Sequence, residues 1–564
     1  MVIISAFLSI ILFLINGVSV LRFYQVKDYL LKRVLGQFYF PSSKKIIFSK
    51  KEYFLYFLLF LSLFFSKNIQ ILKPDFLIFL IFLLLVLRID LIKKIHFTLK
   101  AILVLFLAFF INFSLLFISQ NNLTIFFLLS LWPLQFFIYT FSIQIFDICV
   151  KPYLLLLGRR VKKRIEKVKK ENHKFKIIGI CGSYGKSSTK EILVQLLKEK
   201  FKVLSPPPRI NHEYALLKFL LKVKIENYDY LVLEFGSYYL GNIRWITKFI
   251  TPDIAYITGI TKQHLFLFGN IEKIIEGEGL EILSWMKEGI VFINENHEYS
   301  DILKKKYGDV RRPHIETYFY GKDYKIREIN LEKAVFEFRN KTFETNLIFP
   351  MQIENLIGAL NYLSLIDNLE NYREKIKNIE LPEGFLKLKI MTRTYADYTR
   401  TNADKNSLPG FVPDTLPGFK PDKSGNYPGN SSGRHPGKNI ESLRESAFYI
   451  FDDSYNANPK GVFEGLKFFK KLDFDYKIII FNGLLELGKE TRNIYKNLAK
   501  EFSAFDKIIL TSNDFIEIFK EVLKDKVLLV KNSKEIEIFL QSLKFKKVGI
   551  WIFNRFPSHG FTRI

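Results

Sequence analysis

Residues 175–191 read FKIIGICGSYGKSSTKE, and this stretch decides the architecture of everything after it. The apolar run 175–180 predicts a buried strand, and Lys190–Lys200 predicts a helix. Between them Gly179-Ile180-Cys181-Gly182-Ser183-Tyr184-Gly185-Lys186-Ser187 fits G-x-x-G-x-x-G-K-S, a spacing near that of a phosphate loop with one extra glycine. Gly182 and Gly185 let backbone amides turn toward an anion, and the N-terminus of the following helix adds its positive end. Lys186 has the reach for the outer phosphates of a triphosphate, and Ser187 offers a hydroxyl to Mg²⁺.

Further signals lie at strand ends. DYLVL at 229–233 predicts a central strand closed by Glu234, and DIAYITGI at 253–260 predicts another, followed by His264. A carboxylate and a histidine just past parallel strands face the crevice where α/β sheets bind ligands. Four later runs, 477–481, 507–511, 526–530 and 549–553, predict strands separated by amphipathic helices.

The first 150 residues read differently. Apolar stretches at 1–21, 53–66, 76–87, 101–119 and 123–148 predict about five membrane-spanning helices. Lys and Arg crowd the loops after the first and third stretches, and KPYLLLLGRRVKKRIEKVKK at 151–170 holds nine basic residues against one Glu. The positive-inside rule then places the N-terminus outside and all that follows residue 150 in the cytoplasm, at a cell inner membrane. The formal charge of +27 is largely accounted for by such flanks meeting anionic inner-leaflet lipid. No aromatic-and-basic platform or finger spacing accompanies the charge, so nucleic acid is not expected as a partner. Two cysteines exclude a disulfide scaffold and a Cys-built zinc site. No acidic or basic residue lies mid-span, which argues against an ion pathway.

GSYGKSSTKE at 182–191, EFGSYYLGNI at 234–243 and ITKQHLFLFGNIEKI at 260–274 resemble signatures of the Mur ligases. DDSYNANP at 452–459 and NGLLELG at 482–488 resemble the members that add D-Ala-D-Ala to UDP-MurNAc-tripeptide. The resemblance spans about residues 175–550. The fold it implies is a multi-span α-helical membrane region followed by an α/β Mur-ligase ATPase domain and an α/β Rossmann-like C-terminal domain. The expected boundaries are 1–150 for the spans, 151–174 for a basic linker, 175–380 for the ATPase domain and 381–564 for the last domain. The Pro- and Gly-rich segment 394–446 is expected as a flexible insertion in that last domain.

The resemblance further implies ATP and Mg²⁺ as cofactors and an acyl-phosphate route to an amide. Gly182, Ser183, Gly185, Lys186, Ser187, Ser188, Asn355, Asp453 and Asn456 match nucleotide-binding positions. Lys186, Glu234, His264 and Glu278 match catalytic positions, and Ser187, Glu234, His264 and Glu278 the metal ligands. Asn211-His212-Glu213 matches a loop touching substrate and metal. Substrates would be UDP-MurNAc-tripeptide and D-Ala-D-Ala, with membrane-bound cell-wall synthesis proteins as further partners. Three departures stand out. Glu278 occupies the place of a lysine that relatives carbamylate, Glu354 and Gly358 replace a His and an Asn of the HNxxNAL segment, and His212 replaces an Asn. They keep two alternatives open: a ligase for a different acid and amine, or a catalytically reduced membrane scaffold that binds nucleotide or precursor.

Overall fold

The structure is a computed structural model that describes residues 21, 24, 98–118, 132–208, 210–382, 384–393, 446–454, 458–484, 486–530, 532–543 and 545–553. The chain divides into two compact units. One comprises Met1–Ile379 with Leu485–Arg492, the other Glu380–Leu484 with Asn493–Ile564.

The first unit is built on a six-stranded parallel sheet. Its strands are β1 (Lys176–Cys181), β2 (Val203–Leu204), β3 (Tyr230–Glu234), β4 (Ile254–Ile257), β5 (Gly289–Asn294) and β6 (Ile315–Tyr320), in the order β2-β3-β1-β4-β5-β6. KIIGIC and YLVLE are buried almost throughout, as strands covered on both faces must be. A three-stranded antiparallel sheet follows, of β7 (Tyr324–Ile329), β8 (Ala334–Phe338) and β9 (Lys341–Thr345). Arg339 and Asn340, at φ 48° and 59°, make the two-residue turn between β8 and β9.

Among the described residues two long helices precede β1: α1 (Leu99–Ile118) and α2 (Trp132–Glu171). Lys100 Nζ on α1 meets Asp147 Oδ1 on α2 at 2.7 Å. Of the segment 151–174, expected as a basic linker, residues 151–171 continue α2 without a break. The reason is an apolar stripe within the basic run: Leu157, Val161, Ile165 and Val168 are buried in the core of the parallel sheet. Burying each such side chain contributes about 1.5–3 kcal/mol, which ties the segment to the core. Gly158 lies where a Cβ would stand 2.7 Å from the Phe249 ring, so the helix approaches closely there. Three further helices bear on the site: α3 (Lys186–Leu197), α4 (Glu213–Lys222) and α5 (Asn242–Thr247), with α6 (Pro350–Ile366) behind β6. The helix after the glycine loop thus begins four residues before the expected Lys190.

The five-span expectation is not supported. Among the described residues one helix, within Gln135–Glu171, is long and apolar enough to cross a membrane, and a shorter apolar helix covers Lys100–Ile111. The stretches 53–66 and 76–87, and nearly all of 1–21, lie outside the described residues, as does 394–445.

The second unit has its own six-stranded sheet, ordered β10-β11-β15-β12-β13-β14. Only β10 (Lys387–Arg393) runs antiparallel, against β11 (Ser446–Asp453). The other strands, β12 (Tyr476–Phe481), β13 (Lys507–Leu510), β14 (Val527–Leu529) and β15 (Lys547–Phe553), are parallel, as in a Rossmann-like sheet. Phe451 stacks on Trp551 with ring centroids 5.2 Å apart. Asn458 caps α7 (Pro459–Lys471) by accepting from Gly461 N at 2.9 Å, with Pro459 at the first helical position.

Candidate active site

Register places the glycine loop. β1 lies between β3 and β4, with Ile180 opposite Glu234 and Cys181 opposite Ile257. The chain therefore leaves the sheet at Gly182 with Glu234 on one side and Thr258 on the other. Gly182 takes φ 130°, and a Cβ there would stand 2.2 Å from Thr258 Oγ1. The Thr258 hydroxyl is shared between the Cys181 and Tyr184 carbonyls, at 2.8 and 2.6 Å. Ser183 N and Tyr184 N both donate to Gly259 O. The first half of the loop is thereby fastened to the residues after β4.

The second half stays available. Gly185, at φ 83°, has no side chain to cap α3, whose first intrahelical bond is Thr189 N to Gly185 O at 2.9 Å. The amides of Lys186, Ser187 and Ser188 precede that bond and form the anion-attracting end of the helix. Lys186 Nζ reaches back to the Gly182 and Ser183 carbonyls at 2.5 and 3.2 Å, so the ammonium sits over the loop. Asn355, buried on α6, overlooks the same place: a Cβ on Gly185 would lie 2.7 Å from its Oδ1.

Two buried carboxylates flank the loop. Glu234, 6% exposed, accepts from Ser187 Oγ at 2.7 Å and Asn211 Nδ2 at 2.9 Å. Glu278, 2% exposed, is bonded to the Ser183 hydroxyl and lies 2.6 Å from His264 Nδ1. The His264 Nε2 is 3.2 Å from Glu486 Oε2, so each ring nitrogen faces a carboxylate. Glu486 is held by its own backbone, whose carbonyl accepts from Phe266 N at 3.1 Å. The four metal-ligand candidates therefore do not form one cluster. Ser187 and Glu234 stand together, His264 and Glu278 stand together, and among the described residues no three His, Cys, Asp or Glu side chains could hold an ion by themselves. Each pair still fits Mg²⁺, which is bound by one or two carboxylates completed by phosphate oxygens and water. Among the described residues Glu234 accepts from two neutral donors, and burying an anion that way favours a cation nearby.

Some predicted positions lie elsewhere. Of Asn211-His212-Glu213, only Asn211 reaches Glu234. Glu213 turns to Asn242 and to Tyr239, whose hydroxyl donates at 3.1 Å, and burial pushes the Glu213 carboxyl upward. Glu354 accepts from Asn294 Nδ2 at 2.5 Å and Asn296 Nδ2 at 2.6 Å, so its charge is met by two amides. Gly358 makes room for Tyr320, whose ring would lie 2.9 Å from a Cβ. In the second unit, Asp453 ends β11, and packing around it raises its carboxyl well above the usual range, with Asp452 adding to the effect. Asn456 lies outside the described residues. Thr258, Gly259 and Glu486 had not been assigned roles from sequence. A threonine and a glycine directly after β4 were the available signal for the first two.

A glycine loop opening onto a helix, a lysine over it and a buried carboxylate on either side form a nucleotide-dependent ligase site. The chain belongs to the Mur ligase family: residues 180–363 match the Mur ligase middle domain and 440–543 the Mur ligase glutamate ligase domain. It is 27% identical over 393 residues to the UDP-N-acetylmuramoyl-tripeptide–D-alanyl-D-alanine ligase of Borreliella burgdorferi, a match covering 66% of this chain and 71% of that protein. With the same-named ligase of Rickettsia prowazekii it shares 26% identity, over 58% of this chain and 63% of the relative. The fold is similar to that of MurF from Acinetobacter baumannii (TM-score 0.53, 17% identity, 71% of this chain and 78% of that one). It is likewise similar to MurF ligase from Thermotoga maritima in complex with ADP (TM-score 0.53, 19% identity, 71% and 80%).

Proposed function

We propose that this protein joins D-alanyl-D-alanine to UDP-MurNAc-tripeptide at the expense of ATP, and that it does so while attached to the inner face of a cell membrane. The single observation that carries the reaction is the loop at 182–188, anchored by Thr258 and Gly259 between Glu234 and Glu278. A substrate carboxylate oxygen takes the terminal phosphoryl group of ATP, releasing ADP. The amine of D-alanyl-D-alanine then attacks the acyl carbon, phosphate leaves, and the nitrogen gives up a proton as the amide forms.

The residues divide this work. The α3 amides and Lys186 cradle the phosphates and cover oxygens that gain charge during transfer. Ser187 with Glu234, and Glu278 with His264, would hold Mg²⁺, which supplies charge neutralisation between phosphate oxygens when bound. Asn211 orients Glu234, and Glu486 orients His264 from the side opposite Glu278. Asp453 and Asn456 remain candidates for nucleotide contact on their resemblance alone. Attachment is supported by the apolar part of α2 followed directly by its basic stretch, and by the apolar stretches before it in the sequence.

The test uses the full chain in detergent with ATP, Mg²⁺, UDP-MurNAc-tripeptide and D-Ala-D-Ala, and Lys186→Ala as control. A pentapeptide product mass absent from the control is expected. Phosphate release only with another acid or amine would point to a different substrate pair. ATP binding with no turnover on any acceptor would point to a scaffold.

A further inference from the structure

We infer that the nucleotide-binding edge of the ligase sheet faces the lipid bilayer, and that α2 holds it there. This rests on the membrane reading above and adds a direction to it.

The apolar end of α2 is open on its surface. Phe137, Phe141 and Ile148 are 67%, 57% and 63% exposed, and on α1 Phe106 and Phe110 are 69% and 61% exposed. The occupant that fits is an anionic bilayer: hydrocarbon for these rings, and acidic headgroups for Lys151, which follows them on the same helix.

The other end of α2 fixes the orientation of the sheet. Lys169 Nζ is 2.7 Å from Asp253 Oδ1, and Asp253 Oδ2 accepts from Ile177 N at 2.8 Å. Asp253 precedes β4 and Ile177 is the second residue of β1, so the basic end of α2 lies at the edge where the strands begin. The tight turn Asn172–Phe175 then sends β1 back along α2, and both elements share one apolar core. Six strand residues climb about 20 Å in that direction. The edge where the strands finish, with Gly182 and Glu234, is thus carried toward the apolar end.

Contacts along α2 repeat this order. Next above Lys169, Arg164 bonds the Leu220 carbonyl at 2.8 Å, at the C-terminal end of α4, and pairs with Glu226. Gly158 then meets Phe249, after α5. Highest is Asp147, which lies near enough to Tyr239 for its charge to add to burial and to Glu213 in raising that phenol. Tyr239 belongs to the loop directly after Glu234 and bonds Glu213 at the start of α4. Tyr239 and Leu240 are 44% and 40% exposed, and Tyr214 beside them is 41% exposed with Lys218 over its ring. An aromatic, leucine and lysine at this level suit a headgroup layer. The acid substrate and the product would accordingly enter and leave along the lipid surface.

The experiment uses the full chain in vesicles containing anionic lipid, with Cys149→Ser removing the exposed thiol and leaving the buried Cys181. A fluorophore is placed on Leu240→Cys, on Tyr214→Cys as a second reporter of the same edge, and on His173→Cys at the opposite edge. Spin-labelled lipid is the quencher, and flotation of the unlabelled chain with the vesicles is scored in parallel. Flotation together with several-fold stronger quenching at 240 and 214 than at 173 is expected. Flotation with equal quenching, or stronger quenching at 173, overturns the orientation and leaves the attachment standing. A chain that does not float sinks both.

Discussion

His264 Nδ1 lies 2.6 Å from Glu278 Oε1, on a carboxylate that also bonds Ser183 of the glycine loop. On the resemblance, this carboxylate stands where related ligases carry a lysine that must first react with carbon dioxide. Turnover of the wild-type chain should therefore not change when bicarbonate is removed. Glu278→Gln, which keeps the shape and loses the charge, should lower turnover by about 100-fold and shift Mg²⁺ activation to higher concentration. Initial rates across a Mg²⁺ series check both. Bicarbonate-dependent turnover in the wild-type chain would count against the assignment.

Gly185→Ala should weaken nucleotide binding. The position has φ 83°, and its new methyl would meet Asn355 Oδ1 at 2.7 Å. Strain at such a backbone costs about 1–3 kcal/mol, roughly a 10-fold loss or more in ATP affinity if the loop yields to relieve it. Titration with a fluorescent ATP analogue measures this directly, and unchanged affinity would show that the loop is not the phosphate site.

Ile165→Ala tests whether the basic half of α2 belongs to the ligase core. Ile165 is 4% exposed, among the residues packed under the parallel sheet. Truncation at such a site costs about 2–5 kcal/mol, and thermal melting in detergent should show a lowered transition. A linker residue would leave the transition where it was.

Asp453 predicts a pH dependence of stability. Its carboxyl is raised by burial and by Asp452, so the folded state favours the protonated form. Its contribution is most favourable below the unfolded value near 3.8 and is lost progressively as pH rises through the folded value. Asp453→Asn should then stabilise the protein at neutral pH relative to wild type, with the advantage shrinking as the solution is acidified. Denaturant melts at several pH values would show the two curves converging, and a constant offset would contradict the account.

How much of this was legible beforehand depended on how local each signal was. The loop, its lysine and the strands around it could be read because glycine spacing and apolar runs act over a few residues. Glu234 and Glu278 were singled out the same way, by place after a strand or a motif. Their grouping was not, since Asn211 reaches Glu234 from 23 positions away in sequence. Glu354 read as a loss, because the asparagines that meet it lie 58 and 60 positions earlier. The β8–β9 hairpin escaped because Arg339-Asn340 lacks the usual glycine. Residues 151–174 read as a linker because charge outweighed the stripe at Leu157, Val161, Ile165 and Val168.

That stripe has a consequence for anyone who would rebuild the protein. The apolar half cannot be exchanged for another anchor by cutting at residue 151, since the cut would strip four side chains from the enzyme's own interior. A graft has to respect the helical phase as well as the length. Each residue added or removed between Lys151 and Leu157 would swing the whole enzyme by about 100° around the helix axis. Such a series of insertions would turn the catalytic edge like the hand of a dial.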